Sequence, residues 1–231
     1  MNPQEVQIHC LVAVVLMGRG IYAAPVRVDR PPPGEEWSHG EITEPRLAAS
    51  LILLRDAPDG QQVLLVQRTP AQRFMGGAWV FPGGAVHADD ADEAAAARRE
   101  LEEEAGVALG ADTELVPYSR WITPVGVKIR FDTWFFAAEA PAEVEVEVDG
   151  GECVDFRWIT PAGALAAGER DELMLVFPTI KHLERLAETG TVAATLAAAR
   201  ARPVMPVLPK VVPSGERARV LLPGDPGYDD L

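Results

Sequence analysis

Cysteine is nearly missing from this chain: 231 residues include only Cys10 and Cys153, far apart and outside any Cys-x-x-Cys or His/Cys cluster. That pattern argues against a disulfide scaffold and against a structural zinc site. Histidine is scarce too, with four scattered residues. Basic charge is in deficit, 21 Lys and Arg against 35 Asp and Glu, for a formal net charge of −14. Such a field does not draw a chain to nucleic acid or to an acidic membrane, and neither is expected as a partner. A phosphate substrate is still allowed, because bound cations and a few arginines reverse the sign locally. Long apolar runs are also lacking: Cys10 to Met17 is far too short to span a membrane. With Ala23-Ala24-Pro25 behind it, that run is similar in outline to an export signal, yet no Lys or Arg precedes it. A leader outside the fold, or a start placed too far upstream, is the expectation, with the protein in a reducing cytoplasm.

What is present suffices for one substantial core, since 48% of the residues are apolar. Residues 1–44, with their Pro-Pro-Pro-Gly stretch, read as an N-terminal lead-in, 45–202 as the functional domain and 203–231 as an extended tail. Prolines at 203, 206, 209 and 213 forbid regular helix in that tail. It would lie over the domain or over a second copy, leaving room for a homodimer. Strands are predicted at 47–54 and 61–67 around the turn signal Asp-Ala-Pro-Asp-Gly, then at 78–81, 115–122, 129–138 and 153–159. Helices are predicted at 92–105, from Thr160-Pro161 to 168, at 178–188 and at 192–202.

The most informative stretch is Arg99-Glu100-Leu101-Glu102-Glu103-Glu104-Ala105-Gly106-Val107. On a helix, Glu100, Glu103 and Glu104 fall within about 100° of one another. Bare carboxylates so close repel by a few tenths of a kcal/mol per pair, whereas a hard divalent cation turns them into a ligand set. Ala94, Ala97, Leu101 and Ala105 form the adjacent packing stripe, and Gly106 is placed as a stop. Upstream, Pro82-Gly83-Gly84 offers backbone without side chains in the way. A Glu-rich run is ordinarily a solvated face; the arginine, the spacing and the glycine pair argue for a site.

This arrangement resembles the signature of the Nudix hydrolases, G-x5-E-x7-R-E-U-x-E-E-x-G-U, with U aliphatic. Arg99, Glu100, Leu101, Glu103, Glu104, Gly106 and Val107 match its second half. The first half is one residue longer here, so Asp90 or Glu93 would take the part of the first Glu. Just upstream, residues 64–84 resemble the pattern LLTxRS-x3-R-x3-G-x3-FPGG of Nudix enzymes acting on coenzyme A, with Arg68, Arg73, Gly77, Phe81, Pro82, Gly83 and Gly84 in register.

The resemblance implies an α/β fold in which a mixed sheet is sandwiched between helices. It also implies hydrolysis of a diphosphate bond in a nucleoside diphosphate derivative, coenzyme A or acyl-CoA foremost. Mg²⁺ or Mn²⁺ would be held by Glu100 and Glu104 with Glu103 beside them, and Arg99 would hold a glutamate in place. Arg68 and Arg73, with Gly83 and Gly84, would bind the substrate phosphates. The general base is left open among Glu152, Asp132 and the alternating Glu143, Glu145 and Glu147, whose period of two also reads as the wet face of an edge strand. His87 lies in the loop after the glycines. Phe131 or Trp134 could stack on a nucleobase, although alternating aromatics are more often core. ADP-ribose, NADH and dinucleoside polyphosphates are alternative substrates, and a nucleotide-sensing module without catalysis is the alternative of another class.

Overall fold

The computed structural model describes residues 42–72, 75–214 and 217–230; the apolar run at 10–17 lies outside them. The central strand is β1 (Arg46–Ala57), whose run Leu51-Ile52-Leu53-Leu54 is apolar without alternation. Such a run needs cover on both faces, and all four side chains have no solvent exposure. A two-residue turn, Pro58-Asp59, leads to the antiparallel β2 (Gly60–Arg68), with Ala57 opposite Gly60. The short β3 (Trp79–Val80) pairs with β2, and β4 (Gly83–Ala85) lies antiparallel to the start of β1.

Helix α1 (Glu93–Ala105) follows. The Asp92 side chain accepts from the Ala95 amide at 2.8 Å, and Gly106 ends the helix at φ 67° while its amide donates to the Glu102 carbonyl. A cap of this kind is worth about 1 kcal/mol, and the left-handed stop suits glycine. Next come β5 (Val116–Ile122), β6 (Phe131–Glu139) and β7 (Cys153–Ile159), then α2 (Pro161–Glu169), α3 (Phe177–Leu186) and α4 (Val192–Arg200). The short β8 (Pro206–Val207) and the hairpin β9 (Lys210–Ser214) and β10 (Arg217–Leu221) complete the described elements.

The mixed sheet runs β3-β2-β1-β6-β5-β8, with β4 on β1 and β7 on β2. β6 pairs in parallel with β1 over nine positions, from Arg46–Phe131 to Leu54–Glu139. Odd-numbered β1 residues Ala49, Leu51 and Leu53 meet α1 through Ala96, Ala97, Leu101 and Ala105. Even-numbered Ile52 and Leu54 meet α2, α3 and α4 through Ala164, Leu183 and Leu196. Each buried leucine stabilises the packing by roughly 1.5–3 kcal/mol. The arrangement is a sheet between helices, as the resemblance implied.

One sequence reading changes. Residues 143–148 form no strand: Val144, Val146 and Val148 turn inward, while the Glu147 amide caps the Ala105 carbonyl at 3.0 Å. The alternation reflects one buried side without a ladder partner. The prolines of 203–221 exclude helix but not strand, since Pro206 pairs opposite Arg120 at the sheet's edge. Among the described residues no helix is long and apolar enough to cross a membrane.

His182 on α3 occupies the core beyond β1, its ring centroid 4.2 Å from that of Phe135. Its Nδ1–H donates to the Pro178 carbonyl at 2.6 Å, which leaves Nε2 to accept from the Ser119 hydroxyl at 2.5 Å. Both contacts suit a neutral ring. Burial pushes its pKa down to about 3, against the weaker upward pull of the Pro178 bond. The unfolded ring protonates near pH 6.5, so between those values the unfolded state binds the extra proton. Stability therefore falls as pH drops from about 6.5 towards 3, by up to about 1.4 kcal/mol per unit from this group. The prediction is that His182→Gln, which does not titrate, shows a shallower loss of melting temperature across pH 6.5 to 4 than the wild type. Equal slopes would show that the ring is not held neutral.

Candidate active site

The inward face of α1 carries two acids among its alanines. Glu100 and Glu104 are buried with Ala97 and Leu101, whereas Glu103 is largely exposed one turn away. These acids are tolerated because the two glycines that open β4 lie beneath them. The Gly83 amide donates to Glu104 Oε2 at 2.9 Å. A Cβ on Gly84 would lie 2.5 Å from Glu100 Oε1, so the glycine leaves the space that this carboxylate fills. Gly83 is constrained differently: a Cβ there would lie 2.5 Å from the Ala49 carbonyl oxygen of the neighbouring strand.

Arg99 ties the site together. Its Nε and Nη2 grip Asp90 at 3.0 and 2.9 Å, Nη1 donates to Glu100 and Glu103 at 2.8 Å each, and Nη2 also reaches the Ala85 carbonyl at 3.0 Å. All five guanidinium donors are used. Asp90 also accepts from the His87 amide at 2.7 Å. The Arg99 bonds, then that amide, hold the Asp90 carboxyl down at about 2. Between the two acids suggested for the loop, Asp90 is the one Arg99 grips, while Glu93 opens the helix.

Burial pushes Glu104 up to about 7, against the Gly83 amide and the Arg68 charge, with Glu100 and Glu152 adding to the rise. Glu100 is raised for the same first reason, opposed by Arg99 and reinforced by Glu103 and Glu152. Two buried carboxylates held against their preference for water form an all-oxygen donor set that a hard cation would satisfy. In donor chemistry the residues fit Mg²⁺ or Mn²⁺. Among the described residues no three acidic, imidazole or thiol groups are gathered as a metal-holding cluster, because Arg99 draws Glu100 and Glu103 to itself.

Arg68, at the end of β2, places Nη1 4.0 Å from Glu104 Oε1. Its Nε–H is buried without a partner among the described residues. Arg73 lies outside the described residues. Of the possible bases, Glu152 is exposed at the mouth of β7 and acts electrostatically on both Glu100 and Glu104. Asp132 is occupied by Arg120, at 2.8 and 2.6 Å. Glu143, Glu145 and Glu147 face solvent along the segment over the end of α1. Trp134 stacks on Phe136, 6.3 Å between centroids, and packs with the α1-side core. Phe131 is half-buried on β6, and His87 contributes its amide to Asp90. The sequence reading missed Gln72, which bonds both Arg68 and Glu152; its only signal was its place beside Arg73 in the upstream pattern.

The NUDIX domain model matches residues 44–176. The chain is similar to nudix hydrolase 7 of Caenorhabditis elegans, 28% identical over 188 residues, which are 64% of this chain and 63% of that protein. It is also similar to an acyl-coenzyme A diphosphatase of Xenopus laevis, 38% identical over 76 residues, 31% of this chain and 20% of that protein. The match thus spans less than two thirds of either relative. A crystal structure of a Nudix hydrolase from Alicyclobacillus acidocaldarius aligns with TM-score 0.61 at 26% identity, over 70% of this chain and 99% of that one.

The two glycines predict different failures. Gly83→Ala forces backbone apart and should destabilise by about 1–3 kcal/mol, as overpacking does. Gly84→Ala meets only the end of a flexible side chain, so its melting temperature should stay within about 3 °C of wild type. Its Mn²⁺ affinity, read by electron paramagnetic resonance, should drop by about tenfold or more, in line with disturbed ligand support. Unchanged affinity would remove Glu100 from the donor set.

Proposed function

The chain belongs to the Nudix family and has its fold, and on that footing we propose that it hydrolyses the diphosphate bond of coenzyme A or an acyl-CoA. The observation that carries the hydrolase reading is the pair of buried carboxylates, Glu100 and Glu104, set over β4 beside Arg68. Glu100, Glu103 and Glu104 would hold Mg²⁺ or Mn²⁺, which when bound neutralises phosphate oxygens and activates water. The chain supplies the rest. The Gly83 amide and Arg99 keep the carboxylates aimed, and the fixed dipoles need no reorganisation when charge develops. Arg68, at the end of β2 beside Glu104, offers a cationic fork to a phosphate oxygen, with Arg73 as the second candidate. Glu152, close enough to influence both buried acids, takes the proton of the attacking water.

The coenzyme A preference has two supports: the upstream pattern through Arg68 and Arg73, and the partial similarity to an acyl-coenzyme A diphosphatase. The test is product analysis on coenzyme A, acyl-CoA, ADP-ribose, NADH and diadenosine polyphosphates with Mg²⁺ or Mn²⁺ and a chelator control. Formation of 3′,5′-ADP with 4′-phosphopantetheine or its acyl form is the expected result. Faster turnover of ADP-ribose or NADH would keep the hydrolase and discard the coenzyme A preference, and no metal-dependent product from any of them would overturn the hydrolase reading. Glu104→Gln still accepts the Gly83 hydrogen bond, so it should fold normally while losing roughly 10²-fold or more in turnover.

A further inference from the structure

Glu152 has its main chain fixed from two sides. The Asp149 carboxylate accepts from the amides of Gly151, Glu152 and Cys153 at 3.0, 2.8 and 2.8 Å. From across the site the Thr69 amide donates to the Glu152 carbonyl at 2.7 Å. Thr69 opens a loop that is closed at its base, where the Arg68 amide bonds Ala78 at 2.9 Å and the Gly77 amide bonds Arg68 at 3.0 Å. The Gln72 amide donates back to Thr69 at 3.0 Å, and Gly76 permits the fold-over because a Cβ there would lie 2.7 Å from the Gln72 carbonyl oxygen. The bond to Thr69 sets the Gln72 backbone close to the end of β2. There the Gln72 Oε1 accepts from Arg68 Nη2 and its Nε2 donates to Glu152 Oε2 at 3.3 Å.

We propose that Gln72 is a positioning residue, an amide inserted between Arg68 and Glu152 that keeps the two from pairing and aims each at its task. This rests on the reading of Glu152 as the base. A primary amide is suited to the place because it accepts from a guanidinium and donates to a carboxylate at once. A leucine does neither, and Arg68 is then free to close on Glu152 as a direct ion pair. That pair would draw the carboxylate from the attacking water and the guanidinium from the substrate phosphate.

The test is a double-mutant cycle on the panel's fastest substrate, with wild type, Gln72→Leu, Glu152→Gln and the double variant. Gln72→Leu should lower kcat about tenfold with KM little changed, a share of the roughly 10²–10⁴ that a positioned base supplies. In the Glu152→Gln background the same change should alter kcat less than twofold, and Mn²⁺ affinity and melting temperature should match the parents. Independently of turnover, the Gln72 side-chain amide resonances in ¹⁵N spectra should shift on Glu152→Gln. An equal loss of kcat in both backgrounds, or unmoved amide resonances, would overturn the role of Gln72 while leaving Glu152 as base. Full kcat in Glu152→Gln would overturn both and leave the hydrolase reading standing.

Discussion

Arg99 joins three pieces of chain at one side chain. Its donors reach Asp90 in the loop, the Ala85 carbonyl on β4, and Glu100 and Glu103 on its own helix. The donor is a cation and each acceptor is a carboxylate or a carbonyl, so these are charge-assisted hydrogen bonds with fixed geometry. Only a planar fork with five donors can serve so many acceptors; a lysine has three and cannot spread them in a plane. The consequence is positional. With the loop and β4 pinned to the helix, the Gly83 amide stands under Glu104 and Gly84 stands under Glu100. Burying those acids is costly, and their raised pKa values show that the protein alone does not fully offset the cost.

The cost is borne by the rest of the sheet. β1 is covered on both faces, so its leucines lock α1 on one side and the three later helices on the other. α1 cannot tilt away to let water reach Glu104, because Ala97, Leu101 and Ala105 pack against the same strand. Small alanines matter here. They bring the helix axis close to the sheet, and a closer axis places a short carboxylate arm onto backbone groups of β4.

Much of this could be read from the residues alone, wherever the cause was local. The limits of α1 follow from Asp92, whose carboxylate caps the first turn, and from Gly106, which only a left-handed stop explains. The strands around Pro58-Asp59 follow from their apolar runs and the turn between them. Three features were not legible, each for a nonlocal reason. The alternation of 143–148 does not reveal that, among the described residues, no strand pairs with it. The choice between Asp90 and Glu93 depends on which of them the loop brings under Arg99. Gln72 has no spacing rule at all, because its partners are set by a loop closure and by a residue 80 positions later in sequence.

The division between local and nonlocal causes also separates two kinds of chemistry in the site. The carboxylates and Arg99 share one helix, so their mutual geometry is set by α-helical spacing and survives changes elsewhere in the chain. The groups that would meet the substrate and the attacking water do not share an element. Arg68 ends β2, Gln72 rides on a closed loop, and Glu152 precedes β7. β2 and β7 are neighbouring strands, yet their register shifts between Gln67 and Arg68, just where the two residues emerge. A bulge of that kind re-aims a side chain without moving the strands that carry it. Reach and orientation towards substrate can thus change through a few residues at the strand ends while the helix-borne acids stay fixed, which is why the acids identify the reaction class more readily than the substrate.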